Sequence, residues 1–241
     1  MTYCLGILLA DGLVLASDSR SNAGVDQIAR VCKMTRVTVP GERLIVILSA
    51  GNLATSQSVV THLCESAGSG QPGRDLHAAR TMFEAAEMVG SRLRVVIDRD
   101  GKYVEPFAEP NASFIVGGQI AGEPPRLFEI YSAGNFIEAS DRSPFLQIGE
   151  TKYGKPILDR ALTRQTPLDQ AAKLALLSFD ATIRSNLSVG LPLDLLRYKS
   201  NSFSAEDRQT LHGDNPYWID LRQRYGKGLS ALVRRLPPPP A

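Results

Sequence analysis

The sequence predicts an α+β fold in which two antiparallel sheets pack together beneath covering helices. Two hairpin signals crowd the first fifty residues: Asp11-Gly12 separates the apolar runs 3–10 and 13–17, and Pro40-Gly41 separates 31–39 from 43–49. Asp-Gly suits such a turn because both central positions take positive φ. The run 44–48 is apolar throughout, as in a strand covered on both faces. The elements then follow in the order strands, helices, strands, helices, strand. That order lacks the strand–helix alternation of a doubly wound parallel sheet.

Residues 53–66, after Gly51-Asn52, read as a helix, and 68–73 as a loop by composition. Over 75–96, Leu76, Ala79, Met82, Phe83, Ala86, Val89 and Leu93 form a stripe at helical spacing. Asp98, Asp100 and Glu105 read as solvated charges around an Asp100-Gly101 turn. Strands are expected at 113–117, 126–131 and 136–139, and a short one at 145–148 leads to Gly149. Helices are expected at 153–163 and 167–184. Thr166 is placed to cap the second, Pro167 suits its first turn and Asp169 favours its dipole. A strand over 193–200 precedes a less regular C-terminal region in which Tyr217-Trp218 packs the tail, and four prolines at 237–240 form a stiff end. A single domain over 1–241 is expected, with a core of about 2–200 and an extension of about 201–241.

With 241 residues, 43% hydrophobic and 22% charged, the chain can bury one large core. A net charge of +2 gives no electrostatic reason to expect nucleic acid or a membrane surface. Residues 3–10 lack the basic start and the length of a signal peptide, and no stretch approaches the ~20 apolar residues of a membrane span. A cytoplasmic location is therefore expected. Cys4, Cys32 and Cys64 cannot all pair and have no metal-site spacing, so buried free thiols are expected. His62, His77 and His212 receive no role, and no metal is expected.

The chemistry gathers at the start of the chain. Met1 is normally trimmed when a small residue follows, and Thr2 qualifies. Trimming leaves a hydroxyl and an α-amine on one residue. A Thr hydroxyl needs a base to take its proton, and an α-amine with a pKa of ~7.7–8 can serve. Many proteins also begin Met-Thr with no such meaning. Asp18 ends the strand that pairs with the one starting at Thr2, and Lys33 lies among apolar neighbours on the next expected strand. A Lys there lowers the pKa of a nearby hydroxyl, and an Asp holds the Lys charged. An ordinary salt bridge is the other reading of that pair.

Thr2-Tyr3-Cys4-Leu5-Gly6-Ile7, followed by Asp11-Gly12-Leu13-Val14-Leu15-Ala16-Ser17-Asp18-Ser19-Arg20, resembles the opening of proteasome β subunits of the N-terminal-nucleophile (Ntn) hydrolase family. Ala23-Gly24 resembles that family's small-residue loop, and Lys33 falls where its catalytic lysine does. Ser49-Ala50-Gly51 resembles the segment that helps to form its oxyanion hole. Ile115-Val116-Gly117-Gly118 and Gln147-Ile148-Gly149 resemble two later segments, so the likeness spans about residues 2–200. Within the family, the run Ser21-Asn22-Ala23-Gly24-Val25-Asp26 and the run Arg184-Ser185-Asn186-Leu187-Ser188-Val189-Gly190 resemble the bacterial ancestral β-subunit (Anbu) group, as does Thr directly after Met.

This resemblance implies a four-layer αββα sandwich and hydrolysis of amide bonds without a cofactor. Thr2 is then the nucleophile, Lys33 stabilises its alkoxide, Asp18 positions Lys33 and the Gly51 N–H serves the oxyanion. Supporting roles fall to Ser188, Ser185 and Glu150. Three departures touch those supports: Glu150 stands where the family has a serine, Ser185 where it has an aspartate, and Thr55 where another aspartate is usual. Two alternatives follow: a structural subunit of a ring or spiral without turnover, or an amidase for one small peptide. Self-association into a multi-subunit ring or spiral and a peptide substrate are implied as partners, with an ATP-dependent partner left open.

Overall fold

A computed structural model describes residues 2–22 and 28–240. In chain order the elements are β1 (Tyr3–Leu9), β2 (Gly12–Asp18), β3 (Arg20–Asn22), β4 (Ile28–Arg30), β5 (Met34–Val39), β6 (Arg43–Gly51), α1 (Leu53–Glu65), α2 (Met82–Val104), β7 (Ala112–Ile120), β8 (Arg126–Ile130), β9 (Phe136–Glu138), β10 (Phe145–Gly149), α3 (Lys155–Ala161), α4 (Leu168–Ser185), β11 (Leu193–Lys199), β12 (Arg208–Leu211) and α5 (Pro216–Arg235). One five-stranded sheet runs β10-β1-β2-β11-β12 and the other β5-β6-β7-β8-β9, with β3 and β4 as a separate ribbon. All pairs are antiparallel.

The period-2 alternation of a strand builds the layers. Along β1, Tyr3, Leu5, Ile7 and Leu9 face α3, α4 and α5, where they meet Leu158, Leu176, Phe179 and Trp218. Cys4 and Leu8 point the other way. They join Leu13 and Leu15 against Leu44, Val46, Leu48, Ile115 and Leu127 of the second sheet. Ile45 and Ile47 then face α1 and α2 and pack on Val59, Leu63, Val89 and Leu93. Both of these interior strands are thus covered on both faces, which is why β1 and β6 carry apolar runs rather than alternating polar residues. The result is a four-layer αββα sandwich of two antiparallel sheets, as the sequence predicts.

Several local expectations need correction. Helix α2 starts seven residues later than the stripe suggests. Thr81 is its N-cap, and Asp75 instead accepts hydrogen bonds from the N–H groups of Gly68, Gly70 and His77. Asp100-Gly101 lies inside α2 rather than at a turn, because tertiary packing over a 23-residue helix outweighs one glycine. Thr166 does not cap α4: its hydroxyl accepts from the Thr163 N–H, and Pro167 holds the cap position without a side-chain bond. The region after 200 is more regular than expected. It supplies an edge strand and a 20-residue helix anchored by the fully buried Trp218. Of the three thiols only Cys4 is buried; Cys32 and Cys64 are exposed. Among the described residues no helix is long and apolar enough to cross a membrane.

Candidate active site

The hairpin register decides what sits beside Thr2. Cys4 faces Ser17 across β1–β2, so the next position brings Tyr3 to Asp18. The Tyr3 N–H donates to Asp18 Oδ1 at 3.1 Å. Lys33 Nζ donates to the same oxygen at 2.7 Å and to the Arg20 carbonyl at 2.6 Å. Asp18 Oδ2 accepts from the N–H groups of Arg20 (3.1 Å) and Gly190 (3.3 Å). One carboxylate therefore ties the lysine ammonium to the backbone immediately after Thr2. Asp18 is 0% exposed, Lys33 5% and Thr2 8%.

The sequence places Lys33 on a strand, but it lies in residues 31–33, which link β4 to β5. Its carbonyl accepts from the Ser49 N–H at 3.1 Å, which ties it to the end of β6. Gly51 closes that strand at φ +101°, and a Cβ there would lie 2.4 Å from the Asn111 carbonyl oxygen, so only glycine fits. A cavity of about 200 Å³ opens beside the segment that ends at Lys33, lined by Val31, Cys32, Thr35, Ser49, Ser56 and Thr61 among others, with no carboxylate or ammonium among its described lining residues.

On the other side, β10 ends against Thr2. The Glu150 N–H donates to the Thr2 carbonyl at 2.7 Å. Gly149 precedes it at φ +85°, and a Cβ there would come within 2.0 Å of the same carbonyl oxygen. The Glu150 side chain is 8% exposed. Asn186 Nδ2 donates to its Oε2 at 2.7 Å, and Lys152 Nζ stands 3.5 Å from Oε1. Asn186 is itself held, because its N–H donates to Thr182 at the end of α4 and its Oδ1 accepts from the Ser188 N–H at 2.9 Å. Arg20 Nη1 donates to the Leu187 carbonyl, so the 186–190 loop is bonded to both flanks of the site.

Burial pushes the Asp18 carboxyl above its ordinary range, against the pull of Lys33 and of the Tyr3 and Gly190 N–H groups. Burial also pushes the Cys4 thiol well up, so it stays protonated and inert beside Lys33. The Tyr3 phenol rises to about 12 through burial, although hydrogen bonds with Ser178 and Gln147 oppose the rise. It remains a neutral anchor between β1 and α4.

Thr2, Asp18 and Lys33 are thus adjacent, with Glu150 against the Thr2 backbone and Ser188 in the neighbouring loop. Ser185 is exposed at the last position of α4 and makes no side-chain hydrogen bond to this cluster among the described residues. Asn186 makes that contact instead. Nothing in the sequence marks Asn186 except its place between Ser185 and Ser188. Thr55 is buried in the first turn of α1, where its N–H donates to Asn52 Oδ1. Met1, Ala23-Gly24 and the rest of the run from Ala23 to Asp26 lie outside the described residues.

No protein-family model matches the chain, and no curated protein does. Solved structures do match over its whole length. Anbu (ancestral beta-subunit) from Yersinia bercovieri is 47% identical over 99% of both chains, with a TM-score of 0.93. Anbu from Hyphomicrobium sp. strain MC1 is 44% identical over 99% of this chain and 100% of that one, with a TM-score of 0.89. The Anbu complex from Pseudomonas aeruginosa, described as a helical assembly, is 49% identical over 99% of this chain and 98% of that one, with a TM-score of 0.94.

Proposed function

Because the chain belongs to the ancestral β-subunit (Anbu) family of proteasome-related proteins, we propose that it is an N-terminal-threonine hydrolase acting on peptide or amide bonds. The observation that carries this reading is the shared Asp18 oxygen, which holds the Lys33 ammonium and the Tyr3 N–H together in a nearly water-free corner beside Thr2. A charged lysine there favours the alkoxide of a neighbouring hydroxyl, and the weakly screened surroundings strengthen the effect.

Removal of Met1 frees the Thr2 amine. Thr2 Oγ1 attacks the substrate carbonyl carbon, and its proton passes to that amine. The Gly51 N–H donates to the tetrahedral oxyanion; removing one such donor typically costs ~100–1,000-fold in rate. Collapse breaks the C–N bond, and the departing amine takes the proton back. Water, deprotonated by the same amine, then cleaves the ester on Thr2 and releases the acid. The uncharged cavity beside Lys33 suits a substrate with a neutral side chain at the cleaved bond.

The test is intact mass after incubation with a peptide epoxyketone. One inhibitor should add to a chain beginning at Thr2, and none to Thr2→Ala. A chain beginning at Thr2 that takes up no inhibitor supports the second reading, a subunit that builds an assembly without turnover. The observation favouring that reading is Glu150, a carboxylate bound by Asn186 where the family resemblance implies a serine.

Self-association into a ring or spiral is part of the proposal. The helical assembly of the Pseudomonas aeruginosa relative supports it, as do Tyr225, Leu229, Leu232 and Val233 exposed along α5. Sedimentation at micromolar concentration should give a species several times heavier than 26.2 kDa, and a lone monomer would count against it.

A further inference from the structure

Glu150 is a carboxylate in a poor place for a negative charge. Its side chain is 8% exposed, and a buried carboxylate needs compensation by charge as well as hydrogen bonds. Oε2 has a neutral donor, the Asn186 amide. The ammonium of Lys152 stands 3.5 Å from Oε1 but is 68% exposed, so water and salt weaken its effect. The other described charges at the site are already engaged. Lys33 is spent on Asp18, and Arg20 reaches the Leu187 carbonyl.

The main chain of Glu150 is bonded to that of Thr2 at 2.7 Å, where trimming of Met1 creates a new cation. We propose that Glu150 receives the α-ammonium of Thr2 and that Asn186 aims its carboxylate. Glu150 is then a positioning residue that also sets the amine's proton affinity. Asn186 suits the task because the Thr182 carbonyl and the Ser188 N–H fix it at both ends. A serine could only hydrogen-bond the amine, whereas a carboxylate holds it charged and raises its pKa. The amine therefore becomes available as a base only at higher pH than in a serine-supported site. The charges that bear on it are Asp18 from β2, Lys33 before β5, Arg20 from β3, Lys152 after β10 and Glu150 itself.

The inference rests on the free Thr2 amine required by the hydrolase reading, but not on turnover. Competitive acetylation of the N-terminus across pH, read by mass spectrometry, measures the amine's titration directly. A form with glycine inserted between Met1 and Thr2 supplies the reference signal. In Glu150→Gln, whose side-chain oxygen still accepts from Asn186, the midpoint should fall by one unit or more, a tenfold rise in neutral amine below it. Asn186→Ala should move it part-way in the same direction, and Glu150→Asp should restore part of the shift. An unchanged midpoint in Glu150→Gln, or an N-terminus still carrying Met1, overturns the proposal. Epoxyketone uptake by the same samples separates the two ideas. A shifted midpoint without uptake leaves this inference standing and removes the hydrolase reading; uptake without a shift does the reverse.

Discussion

Lys33→Ala yields a folded chain whose Thr2 reacts with an epoxyketone at least ~100-fold more slowly than wild type, the scale of losing a fixed electrostatic or proton-transfer partner. Lys33 lies against Asp18 at 2.7 Å with both side chains buried, so the substitution also strands a carboxylate. Removing one partner of a buried pair costs ~3–5 kcal/mol. The N–H groups of Tyr3, Arg20 and Gly190 continue to hold that carboxylate and keep the chain folded. Asp18→Asn should act in the same direction but less severely, because Lys33 retains the Arg20 carbonyl. Melting curves and labelling rates must be read together. If Lys33 and Asp18 are only a salt bridge, folded Lys33→Ala labels at the wild-type rate, and the base must then be the Thr2 amine unaided.

Gly149→Ala should be nearly as damaging from the opposite side. The added Cβ would sit 2.0 Å from the Thr2 carbonyl oxygen and 2.7 Å from its carbon, contacts that only backbone movement can relieve. At φ +85° the alanine also carries a left-handed strain of roughly 1–2 kcal/mol, and overpacking adds roughly 1–3 kcal/mol. Relief must push Thr2 away from β10, breaking its bond to the Glu150 N–H. Misplacing a reacting group by 1 Å costs about 100-fold. The expected result is a lower denaturation midpoint together with loss of epoxyketone uptake, and a stable variant that labels normally would contradict it.

The parts of the fold that were legible in the sequence are those fixed by neighbours in the chain. Pro40-Gly41 sets its hairpin by local turn chemistry, with Gly41 at φ +72°. The first hairpin also forms, but Leu9 pairs with Gly12, so its central residues are Ala10-Asp11 rather than Asp11-Gly12, and neither takes positive φ. The stripe of α2 revealed a helix but not its start. Asp75, where the expected helical stretch begins, instead serves loop N–H groups, a choice that depends on Gly68 and Gly70 lying nearby. Helix α5 escaped notice because Gly226 and Gly228 weaken its propensity and only Trp218 is fully buried; docking on α4 stabilises it. At the site, Asp18 could be placed beside the N-terminus from the hairpin alone. Lys33 stands out in the sequence as a lysine among apolar neighbours, but only the family resemblance favours a catalytic role over an ordinary salt bridge, since no local rule brings the residue before β5 to the end of β2. Asn186 was missed because its partner is 36 residues away and an asparagine ending a helix looks like any cap.

The position of β1 has a consequence for the order of events as the chain is made. Its partners are β2, a few residues on, and β10; Tyr3 also bonds Gln147, 144 positions later. Asp18 waits for Gly190, 172 positions away. Closing such long loops is entropically costly and makes folding slow. The first strand therefore remains incompletely walled until most of the polypeptide has left the ribosome. During that interval the groups that the proposed mechanism assigns to activating Thr2 have not yet met. On the proposed mechanism, topology thus acts as a timer: the nucleophile is completed only when folding is.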